Sequence, residues 1–268
     1  MDSSPQLQER TVAQRSAAST LLGRKATGRA WAPDALRGAL VMIMIVYHGL
    51  WNLVYLYGHH FPRFQGLPGL VVQVVGSGLF IALSGFCLSL GRKPLRQGML
   101  LLGAGLAVTL VTGFLNPAHQ VHFGILTLLG AGTVVTTLLQ RPLRRIPPVP
   151  GLLASLGLLL LFWNARSGSL GFGEYIPGML PDVLFQNQVT AFLGFPPAGF
   201  SSGDYFPLLP FLFFFWAGFF LYPLIIDPVN KTRGHIRLRP LCWIGRHSLI
   251  IYLLHQPILY GLMVVFLN

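Results

Sequence analysis

The chain has 268 residues, of which 53% are hydrophobic and only 10% charged, and its mean hydropathy is +0.62. So few charges cannot clothe a soluble globule of this size, and the composition indicates an integral membrane protein. The formal charge of +12 would suggest a nucleic-acid partner in a soluble chain, but its distribution along the sequence points elsewhere.

Residues 1–33 are polar and rich in Ser, Ala and Arg, and are expected to form a disordered cytoplasmic tail. Residues 34–268 are expected to form a single transmembrane domain. Apolar windows of about 17–25 residues place spans at 36–57, 68–91, 97–115, 122–140, 150–165, 207–226 and 242–266. The expected fold class is therefore an all-α integral membrane bundle of about seven helices. With the N-terminus in the cytoplasm, 17 of the 19 Lys and Arg residues fall on the inside, and only Arg63 and Arg166 fall outside. The positive-inside rule thus selects N-terminus in, C-terminus out, for a multi-pass protein of the cell inner or plasma membrane. Topology accounts for the basic residues, so no nucleic-acid partner is inferred.

Between the fifth and sixth spans, residues 164–206 form a long outside loop with Glu174, Asp182 and Asp204. Its apolar piece "DVLFQNQVTAFLGF" is too short to span and reads as re-entrant or interfacial. No internal repeat is visible, which weakens an inverted-repeat transporter. Cys87 and Cys242 lie near the cytoplasmic ends of their spans with no zinc-ligand spacing, so neither a disulfide nor a metal site is expected. P-loop, GxGxxG and HExxH signatures are absent. Ser77 and Ser84 raise an intramembrane serine nucleophile, but small residues in spanning helices more often permit close packing.

The polar groups inside the spans carry the functional argument. In "DALRGALVMIMIVYHGLWNLVY", the eleven-residue step from Arg37 to His48 returns to within ~20° of one helix face, about 16 Å further along. Asp34, Asn52 and Tyr55 fall near the same stripe. Ionisable groups at such depth are costly and usually face an interior path or each other. The competing structural explanation is that Arg37 snorkels to the headgroups while His48 bonds a neighbouring helix. The last span repeats the pattern in "GRHSLIIYLLHQPILYG", where His255 lies thirteen residues from Cys242, about 20 Å in. Two mid-membrane histidines could meet across the bundle, and a local kink is expected at Pro257. A neutral imidazole placed there can take the proton of an attacking hydroxyl or amine.

The run around Asp34, Arg37, Gly38 and His48 resembles the first span of the transmembrane acyltransferase superfamily. The blocks "FIALSGFCLSLG", "HFGILTLLG", "DYFPLLPFLFFFWAGFFL" and "IGRHSLIIYLLHQPIL" are similar, in order and spacing, to bacterial relatives of the heparan-alpha-glucosaminide N-acetyltransferase catalytic domain. Where such proteins often read Phe-Gly-Ile-Leu-His, Thr127 replaces the histidine. The resemblance implies an acyltransferase that moves an acyl group, typically acetyl, from cytoplasmic acetyl-CoA as co-substrate to a sugar amine or hydroxyl at the opposite face. Acyl-CoA, a sugar or glycoconjugate acceptor and the lipid bilayer are then the partners, with a homodimer left open.

On this reading Arg37, with Asp34, Arg92 and Arg246, belongs to the donor's phosphate-binding rim. His48 is the first choice as general base or transient acyl carrier, with Asn52 orienting it and His255 as a second participant. A competing assignment places the catalytic histidine in the loop "YGHHFPRFQG", as His59 or His60. His122 and Asp204 are candidates on the acceptor side. A proton-coupled transporter or exporter, with the buried His and Arg lining a proton path, is the alternative function.

Overall fold

The computed structural model describes residues 31–115, 117, 120–231 and 238–267, without the side chains of 226–231. The tail expected at 1–33 lies outside these residues, apart from 31–33. In chain order the helices are α1 (Trp31–Tyr55), the short α2 (Pro62–Gln65), α3 (Leu67–Leu88), α4 (Pro94–Leu115), α5 (Ile125–Leu138), the short α6 (Gln140–Leu143) and α7 (Pro148–Leu161). A two-stranded antiparallel hairpin follows, β1 (Ser169–Phe172) and β2 (Tyr175–Met179), with a bulge between Leu170 and Phe172. Then come α8 (Gln188–Leu193), α9 (Leu208–Lys231), α10 (Arg239–Arg246) and α11 (Ser248–Leu267).

Six stretches are long and apolar enough to cross a membrane: α1, α3, α4, Pro148–Ser167, Leu208–Ile225 and α11. The protein is an all-α integral membrane bundle. The seventh expected span is α5, whose 14 residues reach only about 21 Å of a core about 30 Å thick. Backbone bonds from Leu139 N to Val135 O and from Leu143 N to Leu139 O carry its helical pattern on into α6. Relative directions fit seven crossings. Contacts of Gly78 with Phe214, Ala82 with Gly218 and Phe86 with Tyr222 keep one constant offset, so α3 and α9 run parallel. Gly98 meets Thr133 and Gly105 meets Thr127, which makes α4 and α5 antiparallel. Gly38 meets Leu241 while His48 meets His255, so α1 runs with α10 and α11. First and last spans that run together require an odd number of crossings.

Close backbone approach sets these crossings. A Cβ on Gly85 would lie 1.8 Å from the Phe215 carbonyl oxygen, and one on Gly218 would lie 1.7 Å from that of Ala82. In a bilayer, where apolar side chains gain little by leaving lipid, such dispersion-packed small-residue contacts hold helices together. Ser84, within the same stretch, back-bonds to the Phe80 carbonyl at 2.9 Å, as a packing residue does. The core lies where α9 meets α3 and α5, with Ile81, Leu128, Thr136 and Phe215 fully buried. The Trp216 indole donates to Thr136 Oγ1 at 3.0 Å, so that hydroxyl's burial is compensated.

One expected element is corrected. The span placed at 242–266 is interrupted at His247, where φ −102° and ψ 15° end α10 and α11 begins. Arg239, Arg246 and His247 make α10 too polar to enter hydrocarbon. Beside this break Gly245 is pressed against the Asp34 carbonyl, so α10 crosses α1 in close backbone contact. His255 therefore lies seven residues, about 10 Å, beyond the start of its helix. Pro257 is accommodated within a continuous α11.

Candidate functional site

The polar stripe of α1 divides in the folded protein. Asp34 and Asn52 are buried, Arg37 and His48 partly so, whereas Tyr55 is 57% exposed and rests on Trp51. Asp34, at the start of α1, pairs with Arg246 of α10 at 3.1 Å. That contact joins the two helices beside their Gly38 and Gly245 crossing. It ties down one face of the bundle.

Ten residues or more further along α1, a second cluster forms against α11. The Asn52 amide donates to Gln256 Oε1 at 3.3 Å, and Gln256 Nε2 donates to His48 Nδ1 at 3.0 Å. The His48 and His255 rings lie 5.1 Å apart, so the two histidines expected near mid-membrane do meet. A carbonyl can only accept, so the contact of His255 Nδ1 with the Tyr252 carbonyl places the Nδ1 proton there. In the neutral ring, Nε2 then keeps its lone pair. That atom is buried and has no hydrogen-bond partner among the described residues. Buried polar atoms are nearly always paired, so this nitrogen beside a second histidine is a point at which a hydrogen bond from outside the described residues would be accepted.

Tyr252, one turn before Gln256, links this cluster to Asp204. Its hydroxyl donates to Asp204 Oδ2 at 3.4 Å, and the Ile125 amide at the start of α5 donates to the same oxygen at 3.3 Å. Both bonds fall on Oδ2. Desolvation raises the Asp204 carboxyl above its ordinary range, against the opposing pull of the Ile125 and Tyr252 bonds. Its neighbour Tyr205 donates to the Ala191 carbonyl and lies under Arg166, with 5.1 Å from the guanidinium to the ring centre. Burial pushes that phenol up to about 12, with Arg166 pulling the other way, so it stays protonated. The approach to α5 is also strained. Phe123 adopts φ 54°, a left-handed conformation costing about 1–3 kcal/mol, and the Phe206 amide bonds its carbonyl at 3.0 Å.

His48, Tyr252 and Asp204 open onto one cavity, whose empty space including its mouth is ≈ 650 Å³. Met44 and Tyr47 of α1, Gln73 and Ser77 of α3, and Ile125 help to line it. Apolar walls with a few convergent polar groups are the usual form of a small-molecule site. The cavity offers a nitrogen base, a carboxylate oxygen and phenolic hydroxyls, which suit proton removal from an acceptor during group transfer.

The family model of the heparan-alpha-glucosaminide N-acetyltransferase catalytic domain matches residues 29–257, which include every residue of this cluster. The chain belongs to that family. It is thus a member of a membrane acetyltransferase family. The chain is also 25% identical, over 234 residues, to the chloroplastic NAD(P)H-quinone oxidoreductase subunit 5 of Marchantia polymorpha. That match covers 76% of this chain but 31% of the relative, so the chain spans less than a third of that protein. No solved structure matches.

In this heparan-alpha-glucosaminide N-acetyltransferase family member, the other residues singled out in the sequence lie apart from the cavity. His59 and His60 are exposed in the loop after α1, and His59 contacts Phe61. The backbone of His122 is clasped by Ser202, amide to Oγ and Oγ to carbonyl, both at 2.9 Å, and its ring lies near Phe200. Arg92 is exposed between α3 and α4. Thr127 lies in close contact with Gly105 of α4. Gln256, Tyr252 and Tyr47 were not picked out from sequence. The spacing of Tyr252, His255 and Gln256 at i, i+3 and i+4 was the available signal, because it places all three on one face of α11.

Proposed function

We propose that the protein transfers an acyl group, acetyl in the first instance, from acyl-CoA to an amine or hydroxyl of a sugar-bearing acceptor within the His48 cavity. The observation that carries this reading is the joining of His48, Tyr252 and Asp204 on one cavity inside a member of an acetyltransferase family.

His48 takes the acceptor's proton as its nitrogen or oxygen attacks the thioester carbonyl. The bond from acceptor to acyl carbon forms, the tetrahedral centre collapses, and the thiolate of CoA leaves. Asn52 and Gln256 set the ring for this task. Each amide has an NH₂ that only donates and an oxygen that only accepts, so the contacts Asn52–Gln256–His48 can be made in either sense. With Gln256 nitrogen against Nδ1, neutral His48 carries its proton on Nε2. With the amides reversed, Gln256 oxygen accepts from Nδ1–H, and Nε2 becomes the base. The imidazolium formed after proton removal is satisfied only in that second sense. His255, whose ring lies 5.1 Å from that of His48, offers a lone pair to which the proton can move on. Asp204 accepts a hydrogen bond from the acceptor and orients it.

The donor reaches the cavity from the face where α1 begins, which in this reading is cytoplasmic. Arg37 stands about 16 Å from His48 along α1, a span suited to an extended thiol-bearing arm with its phosphates on the guanidinium. Titration of the purified protein with acetyl-CoA and with CoA tests this assignment, because a ligand that binds only the folded state raises the melting temperature. Saturable stabilisation that weakens in Arg37→Ala is expected. Its absence with both ligands would favour the proton-coupled reading.

A further inference from the structure

A second hollow adjoins the reaction cavity. It lies between α1, α2 and α3 and is lined by Met42, Val46, Leu50, Phe61 and Pro68, with ≈ 1080 Å³ of empty space including its open side. Ile43, Tyr47 and Val72 belong to both hollows and form the wall between them. Tyr47 is the centre of that wall. Its ring lies 5.1 Å from that of Phe64 on the groove side and 5.8 Å from His48 on the other. The groove is built rather than incidental. A Cβ on Gly69 would lie 1.8 Å from the Phe64 carbonyl oxygen, so glycine there lets α2 fold down onto α3 and close the upper end.

The lining has one charge. Arg63 of α2 stands at the groove and forms no ion pair among the described residues. By the sequence topology it is also one of only two basic residues on its face of the membrane. An apolar channel that faces the hydrocarbon and ends in a single guanidinium is complementary to one ligand chemistry: a long hydrocarbon chain ending in a phosphate.

We propose that the acceptor is lipid-linked. Its chain lies in the groove, its phosphate rests on Arg63, and the sugar it carries passes Tyr47 to reach His48. This rests on the acyl-transfer reading for the nature of the headgroup, while the groove and its phosphate stand on their own geometry. A lateral entrance also explains why a base sits within the bilayer: an acceptor anchored in the same membrane arrives with its headgroup already beside the cavity, and little of it need be desolvated.

The test uses the full-length protein in nanodiscs with two photoreactive probes, a diazirine-bearing hexadecyl phosphate and the corresponding neutral hexadecanol. Labelled peptides are mapped by mass spectrometry. The phosphate probe is expected to label Met42, Val46 and neighbouring positions on α1 and α3, to be displaced by unlabelled hexadecyl phosphate, and to label Arg63→Ala about tenfold less. Val46→Trp, which fills the groove and keeps Arg63 in the chain, is expected to lower the same labelling. Equal labelling of the groove by both probes, or labelling unchanged in Arg63→Ala, would overturn the proposal and leave a surface wetted by ordinary lipid. Acetyl-CoA titration of the same sample separates the two readings. Selective phosphate labelling without any acetyl-CoA response sinks acyl transfer and keeps the groove, whereas an acetyl-CoA response without selective labelling sinks the groove and keeps acyl transfer.

Discussion

The two polar clusters of α1 have different fates. Near its start, Asp34 and Arg246 pair beside a glycine crossing, and the contact ties α1 to α10. Near its other end, Asn52, Gln256 and His48 form an amide chain that works in two senses, and His255 Nε2 beside it has no partner among the described residues. The first arrangement pairs its buried carboxylate beside a backbone crossing and suits structure. The second is poised, opens on a cavity, and suits chemistry. The two clusters thus differ in their buried members: the Asp34 carboxylate is paired, whereas His255 Nε2 has no partner among the described residues.

The sharpest way to break this contrast is at Gln256. Gln256→Leu removes the group that orients His48, and turnover is expected to fall by roughly ten- to a hundredfold. Gln256→Glu can only accept from Nδ1, which fixes the base-competent sense, and is expected to retain most activity. Equal loss in both, read as kcat with folding checked by melting temperature, would show that the amide only packs. A second variant, His255→Phe, replaces a bare buried nitrogen with carbon. It is expected to lower turnover about tenfold with little change in stability, since relief of the unpaired Nε2 offsets loss of the Nδ1 bond to the Tyr252 carbonyl. A fall in stability would place His255 among the structural set.

At the Asp34 cluster the expectation is reversed. In Gly245→Ala the new Cβ meets the Asp34 carbonyl at 1.9 Å, so α10 must move off α1 at a cost of about 1–3 kcal/mol. The melting temperature drops, while the molecules that remain folded keep their kcat. A kcat loss matching that of Gln256→Leu would abolish the distinction between the clusters. The smallest effect concerns Asp204. Its carboxyl is raised in the fold, so the folded protein binds its proton more tightly than the unfolded chain. Its contribution to stability is full below the ordinary carboxylate range and is lost as pH rises through the raised value. Asp204→Asn should flatten that decline in a melting-temperature series against pH. An unchanged slope would remove Asp204 as its source.

Much of this was legible in the sequence for a physical reason. Hydrocarbon demands long apolar helices and confines charge, so spans and the polar face of α1 stand out against a uniform background. The long loop was legible only in outline. Its hairpin, from Ser169 to Met179, contains Gly171, Gly173 and Pro177, residues that weaken any strand signal. The interruption at His247 was missed because the run from Cys242 to Phe266 reads as one apolar stretch, with no proline or glycine at the break itself. Gln256 was missed because a glutamine is unremarkable until its partners, more than 200 residues away, are known. His48 and His255 were legible because an imidazole in an apolar run is conspicuous by itself.

The central claim is that acyl transfer takes place at His48. The most direct measurement is CoA release from acetyl-CoA by the purified protein in nanodiscs, with hexadecyl-phosphate-linked glucosamine as acceptor, for wild type and His48→Ala. Wild type should release CoA in an acceptor-dependent manner, and His48→Ala should lose at least about a hundredfold with an unaltered melting temperature. Undiminished release by His48→Ala would contradict the account and move the base elsewhere, with His59 and His60 the next positions to examine.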